Sequence, residues 1–191
     1  MNLIFVRHGE AEQEEPRGLT EKGLKQAKAV AKKLSSLDIS KTYSSDLKRA
    51  VETHQEYLKL KSLPNIKTDK LREIYRKIIG GPVREGTPAD RERKDKKRAS
   101  EVFEGIVKDN KDSDNIAIFC HGNIIRFFLA KALNLNDTNL WENIVINNAS
   151  ISVLEANDKG YRIKTLNNIE HLEEEKNKIF NEKAKSLMFL E

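Results

Sequence analysis

Short apolar runs alternate along the chain with stretches in which apolar residues recur every three or four positions. That alternation predicts strands interleaved with helices. Leu3-Ile4-Phe5-Val6 reads as a buried strand, and Ile116-Ala117-Ile118-Phe119-Cys120 as the clearest one in the chain. Between them, Thr20 stands as a helix N-cap before Leu24, Ala27, Val30, Ala31 and Leu34 at helical spacing. A second strand is expected over residues 39–44, then a helix from about Asp46 with Leu47, Ala50, Val51, His54 and Leu58 on one face. A short strand near residues 66–69 precedes Leu71-Arg72-Glu73. Residues 78–88, with three glycines and two prolines, read as an ordered excursion, and a charged helix with Val102, Phe103, Ile106 and Val107 on its apolar side follows.

Beyond residue 120, His121-Gly122-Asn123 leads into an apolar helix over 124–133, and residues 151–155 and 161–166 flank Asn157-Asp158-Lys159-Gly160 as a hairpin. A charged amphipathic helix is expected from about Ile169. The pattern predicts an α/β fold: a mostly parallel central sheet with helices on both faces. One domain over 1–168 is expected, with 169–191 as a C-terminal helical extension of it. Leu172, Ile179, Phe180, Leu187 and Met188 give that extension an apolar side, which suits packing on its own domain or a homodimer contact.

Composition narrows the class. The chain has 191 residues, 38% hydrophobic and 34% charged, enough for one domain with its own core. No apolar stretch approaches the roughly 20 residues of a membrane helix. The single Cys120 excludes an internal disulfide framework and fits a reducing compartment. With a strand beginning by Leu3 and no leader ahead of it, a cytoplasmic setting is expected. The net charge of +5 favours anionic ligands without implying nucleic acid. Basic residues bunch between Arg84 and Arg98, either as a solvated helix face or as a lid that recognises an acidic or phosphorylated substrate.

The chemistry gathers where strands end. Arg7-His8-Gly9 closes the first strand with an imidazole nucleophile, a guanidinium fork for phosphate and a glycine that lets backbone approach. In open α/β sheets, ligands bind beyond the carboxyl ends of the strands. Three other predicted strand ends deliver Arg49, in Ser44-Ser45-Asp46-Leu47-Lys48-Arg49-Ala50, then Glu73 and His121, to the same edge. Cys120 and Arg126 also form a literal Cys-x5-Arg, the cradle of cysteine-dependent phosphatases, but bulky Ile124 and Ile125 stand where that loop needs small residues. His54 and His171 sit within helical patterns and read as structural or solvent-facing.

LIFVRHGE, RGLTEKGLKQA, YSSDLKRAVET, LREI and IFCHGNIIRFFLAKAL agree in order and spacing with one family. The chain resembles a histidine phosphatase of the phosphoglycerate-mutase-like superfamily, and INNASISVLEANDKGYRIKTLN resembles the closing hairpin of its serine/threonine protein phosphatase branch. The resemblance implies a three-layer phosphoglycerate-mutase-like fold. It implies His8 as nucleophile, Glu73 as acid and base, and Arg7, Arg49 and His121 as catalytic groups that also hold the phosphoryl oxygens, with Gly122 and Asn123 on the substrate. It implies no metal and no cofactor. The substrate would be a phosphoprotein or a small phosphomonoester. Ten residues separate His8 from Leu19, without the Trp-Asn segment by which the family's mutases hold substrate. Hydrolysis is therefore expected, with a mutase-type phosphotransferase or a non-catalytic phosphoryl-binding scaffold as alternatives.

Overall fold

Leu3, Ile4, Phe5 and Val6 are all buried, so β1 (Asn2–Arg7) must be covered on both faces. Its odd and even residues divide the interior in two. Leu3 and Phe5 pack with Ile116 and Ile118 on one side, and Ile4 and Val6 with Ala117 and Phe119 on the other. This is a computed structural model, and it describes residues 1–111, 114–135 and 139–172.

The elements follow in the order α1 (Glu21–Ser35), β2 (Lys41–Ser45), α2 (Lys48–Leu58), β3 (Asn65–Thr68), α3 (Arg91–Lys108), β4 (Asn115–Cys120), α4 (Gly122–Ala132), α5 (Leu140–Asn143), β5 (Ile151–Asn157) and β6 (Gly160–Asn168). The sheet runs β3-β2-β4-β1-β5-β6. β1, β2, β3 and β4 are mutually parallel, and β5 and β6 close the far edge as an antiparallel hairpin. Val30, Ala31 and Leu34 of α1 and Tyr57 of α2 cover one face, and Phe103 and Ile106 of α3 with Phe128 and Leu129 of α4 cover the other. Each large side chain fully buried this way contributes about 1.5–3 kcal/mol. The three-layer α/β expectation is met, and the carboxyl ends of the four parallel strands share one edge.

Several boundaries shift. β2 starts at Lys41 rather than 39, β3 spans Asn65–Thr68, and α2 starts at Lys48 because Leu47 is still extended. The face of α2 is also not the expected one. Arg49, Ala50, Thr53, His54, Glu56 and Tyr57 are buried, while Leu47, Val51 and Leu58 are only partly so. The helix is turned so that its polar side reaches the strand ends, where hydrogen bonds satisfy it. Leu24, placed by its spacing on the buried side of α1, is 38% exposed, and Gly23 takes the inward position. The excursion over 78–88 is made of turns after a 3-10 segment, Arg76–Ile79, which ends at Gly80 with φ of 80°. The terminal helix and its apolar side lie outside the described residues beyond Leu172.

Thr20 caps α1 by accepting from the Gly23 amide at 3.0 Å. Here helix and active loop meet backbone to backbone. A Cβ on Gly9 would stand 2.5 Å from the Gly23 carbonyl oxygen, and one on Gly23 would stand 1.9 Å from the Glu10 carbonyl oxygen. Gly23→Ala should therefore pry the loop from α1 and lower stability by about 2 kcal/mol in denaturant unfolding. A loss below about 0.5 kcal/mol, the range of an ordinary surface substitution, would contradict this contact.

Candidate active site

His8 leaves β1 with its amide bonded to the Cys120 carbonyl, at 3.0 Å. Its ring Nδ1 lies 2.7 Å from the Gly9 carbonyl oxygen. A carbonyl only accepts, so Nδ1 carries the proton and Nε2 keeps its lone pair. Arg49, on the first turn of α2, donates from Nε to that lone pair at 3.1 Å. The imidazole is 7% exposed. Burial first, and then the positive charge of Arg7, Arg49 and Arg17, pushes its pKa down to about 3. His8 is thus a neutral imidazole of fixed tautomer at neutral pH. Thr53 joins it to α2: its hydroxyl accepts from the Gly9 amide at 3.1 Å and donates to the Arg49 carbonyl at 2.8 Å.

His121, at the end of β4, is fully buried and meets the His8 ring edge-on, with centroids 5.1 Å apart. Its Nε2 lies 2.9 Å from Ser45 Oγ at the end of β2. That hydroxyl already accepts from the Leu47 amide at 3.3 Å, so its own proton is available for Nε2. The ring proton is then on Nδ1, which has no partner among the described residues. Burial holds the His121 pKa well below its usual value, with His8, Arg49 and Arg7 acting in the same direction.

Arg7 donates from Nη1 to the Ile146 carbonyl and leaves buried Nε without a partner among the described residues. Gly122 makes room for it. A Cβ at 122 would stand 3.3 Å from Arg126 Nη1 and 3.5 Å from Arg7 Nε. Two guanidinium groups therefore converge at the start of α4. Arg126 is itself held by the Ile144 carbonyl at 2.6 Å and by the Trp141 ring, 5.3 Å from its centroid. Desolvation lowers the pKa of Arg7, Arg49 and Arg126, and Glu73 opposes the shift in each.

Glu73 is the carboxylate of the cluster, and its position is set by unpaired amides at the α4 N-terminus. It accepts from Asn123 N at 3.1 and 3.2 Å, from Ile124 N at 3.0 Å and from Ile74 N at 3.1 Å. Burial raises its pKa despite these donors and the nearby Arg7. Behind it, Asp95 of α3, 5% exposed, accepts from Tyr75 N at 2.9 Å, from Arg91 and from Arg98. Arg98 in turn donates to the carbonyls of Lys70 and Arg72 at 2.7 and 2.9 Å. This brace fixes the turn that carries Glu73.

The expected residues Arg7, His8, Arg49, Glu73 and His121 come together at one sheet edge, and Gly122 lines their meeting place. Asn123 is committed elsewhere: its amide serves Glu73, Nδ2 donates to the Ile74 carbonyl at 3.3 Å, and Oδ1 accepts from Arg126. Cys120 lies inside β4, fully buried, with its thiol pKa far above the usual range, unsuited to a thiolate. His54 bonds Thr42 Oγ1 at 2.8 Å beside Phe119, and His171 reaches the Ala149 carbonyl at 2.9 Å. Arg17, Arg126, Trp141 and Asp95 were not singled out for these roles by the sequence. Arg126 was visible only as part of Cys-x5-Arg, and Arg17 only as the residue before Gly18-Leu19-Thr20. Among the described residues, no three His, Cys, Asp or Glu side chains are grouped to hold a metal ion. Buried cations around a neutral imidazole, with one protonatable carboxylate, suit a tetrahedral oxyanion such as a phosphoryl group.

A sequence profile of the histidine phosphatase superfamily, branch 1, matches residues 3–169. A Schizosaccharomyces pombe protein, called a phosphatase by name, is 28% identical over 207 residues, covering 92% of this chain and 97% of its own. The mitochondrial serine/threonine-protein phosphatase Pgam5 of Drosophila ananassae is 32% identical over 178 residues, covering 83% of this chain but only 60% of that relative. A solved phosphoserine phosphatase mutant of Entamoeba histolytica, in complex with phosphoserine, shares the fold with a TM-score of 0.72. It is 21% identical and covers 90% of this chain and 98% of its own.

The buried histidines make stability depend on pH. His8, at about 3, and His54, at about 4, resist protonation in the folded chain, while the unfolded chain binds those protons near pH 6.5. Stability should therefore fall as pH drops below 6.5, by up to about 1.4 kcal/mol per pH unit for each histidine. Glu73, with its raised pKa, acts in the opposite sense, since its contribution is lost as pH rises. Urea midpoints at pH 7, 6 and 5 should decline in that order, and a flat or rising series would contradict the burial of neutral imidazoles.

Proposed function

The chain belongs to the histidine phosphatase superfamily, branch 1, and is a phosphoric monoester hydrolase; from that premise we propose that turnover passes through a phosphohistidine on His8. The observation that carries this reading is the fixed tautomer: the Gly9 carbonyl accepts from Nδ1–H, and the Nε2 lone pair faces a guanidinium.

In the first step Nε2 attacks phosphorus, a P–N bond forms, and the P–O bond to the leaving group breaks. Glu73, protonated through its raised pKa, gives its proton to the leaving oxygen. In the second step the Glu73 carboxylate takes a proton from water, the resulting hydroxide attacks phosphorus, and the P–N bond breaks to release phosphate and neutral His8. Negative charge spreads over the three non-bridging oxygens during each transfer. Arg7 Nε–H and the Nδ1–H of His121 are unpartnered, desolvated donors that stabilise that charge without reorganising, while the Arg49 Nε–H turns from the His8 lone pair to the phosphoryl oxygens as Nε2 attacks. Gly122 serves by admitting Arg7, and the Asn123 amide by holding Glu73. Among substrates, a phosphoprotein is supported by the resemblance of the closing hairpin to the protein phosphatase branch and by the basic 84–98 stretch.

His8→Ala should abolish hydrolysis of p-nitrophenyl phosphate, and Cys120→Ser should leave it largely intact. Labelled phosphate trapped on the enzyme should be labile to acid and stable to alkali, as a phosphoramidate is. Glu73→Gln should lower kcat/KM by about 10²–10⁴-fold, and Arg49→Met by about 10²–10³-fold. Activity of the wild type should fall as pH rises past the raised Glu73 pKa, because the acid form is consumed, and Glu73→Gln should lose that alkaline limb. Turnover surviving His8→Ala, or lost in Cys120→Ser with the fold intact, would overturn the reading.

A further inference from the structure

A cleft of about 350 Å³ adjoins the reacting cluster, lined by Arg17, Arg76, Arg84, Arg91, Asn123 and Trp141 among others. Its lining includes Ile74 and Asn123, whose amides hold the Glu73 carboxylate. Arg17, in the same lining, acts electrostatically on both His8 and Arg49. On the phosphohistidine reading the leaving oxygen faces Glu73, and this cleft is the space beside it.

The charge of the cleft is one-sided. Its lining includes four arginines and no carboxylate. Two of them are held by carbonyls, which orient a guanidinium without neutralising it. Arg17 donates from Nε to the Glu12 carbonyl at 2.9 Å, and Arg76 from Nε to the Pro82 carbonyl at 2.8 Å. Arg76 also lies over the Trp141 ring, 6.0 Å from its centroid, so ring and guanidinium form one wall. Arg84 has no carboxylate partner among the described residues, and only Arg91 is paired, with Asp95. Of the nearby acids, Glu92 is paired with Lys77 at 3.0 Å, and Glu15 accepts from the Arg17 amide at 3.4 Å.

We propose that this cleft is a second anion site, taking a carboxylate or phosphate carried on the leaving group of the ester being hydrolysed. The inference rests on the phosphohistidine reading for its orientation, since that reading places the leaving oxygen at Glu73. It narrows the substrate class to phosphomonoesters with a second negative group close to the scissile phosphate. An acidic side chain beside a phosphoserine and an acidic group on a small ester present the same chemistry.

The test uses the full chain and three phosphoserine peptides that differ only in an Asp, Asn or Lys beside the phosphoserine. Phenyl phosphate and 3-carboxyphenyl phosphate form the small-molecule arm. The Asp peptide should exceed the Asn peptide in kcat/KM by about tenfold at low ionic strength, the effect of one charge-assisted hydrogen bond partly screened by water. The Lys peptide should be poorer still, and the spread should narrow in high salt. In Arg84→Gln, and further in Arg17→Gln/Arg84→Gln, the Asp-to-Asn ratio should fall toward one. A preference in one arm alone identifies the source of the anion, and a ratio near one in both arms overturns the site. Turnover that survives His8→Ala overturns the phosphohistidine instead. Calorimetric titration of the same peptides gives the ratio by binding, so the second anion site is judged whether or not the ester is cleaved.

Discussion

Three guanidinium groups, those of Arg7, Arg49 and Arg126, are gathered beside two neutral imidazoles, with Glu73 as the carboxylate among them. Isolated from a ligand, this is an unfavourable arrangement: desolvated like charges repel, and burial penalises each. Everything around the cluster can be read as what keeps it in place. The positive groups are each bonded to a carbonyl or a neutral ring atom, Arg7 to Ile146, Arg49 to His8 and Arg126 to Ile144. Such partners orient a guanidinium while leaving its charge for an incoming dianion. Stability is sacrificed at the site and recovered in the two apolar layers that flank the sheet.

The sheet makes this concentration feasible. Parallel pairing puts the ends of β1, β2, β3 and β4 at one edge, so residues far apart in sequence are delivered by rigid strands rather than by loops. Where backbone must leave those strands, small residues and braces take over. Gly9 lies on Gly23, Gly122 admits two guanidinium groups, and Asp95 with Arg98 ties the turn that carries Glu73. The α4 N-terminus adds the amides that hold Glu73, so a helix terminus positions a carboxylate here.

Much of this was legible in the sequence because it is local. β1 and β4 declare themselves by uninterrupted apolar runs, α1 by its spacing and Thr20 cap, and His8 by its place at a strand end. On the polar inner side of α2, Arg49 and His54 were legible but Thr53 was not, since its hydroxyl is buried only because the Gly9 amide and the Arg49 carbonyl meet it. The same holds for Asp95 and Arg98, which look like ordinary members of a charged helix until the turn at 69–75 folds against them. Arg126 was visible but attached to the wrong partner, because the spacing Cys-x5-Arg is satisfied across a strand end and a helix rather than within a cradle loop. Arg17 carries no periodic signal at all. Its relevance is a property of the loop after β1 packing back toward α2.

The hydroxyl of Thr53 has a consequence of its own. By accepting from the Gly9 amide and donating to the Arg49 carbonyl, it fastens the backbone beside His8 to the backbone of its guanidinium partner. Thermal sliding of α2 over the sheet is then a common-mode displacement for His8 and Arg49. The separation between the His8 imidazole and the Arg49 guanidinium stays nearly constant while both drift together. That distance is thereby shielded from the breathing of the layers.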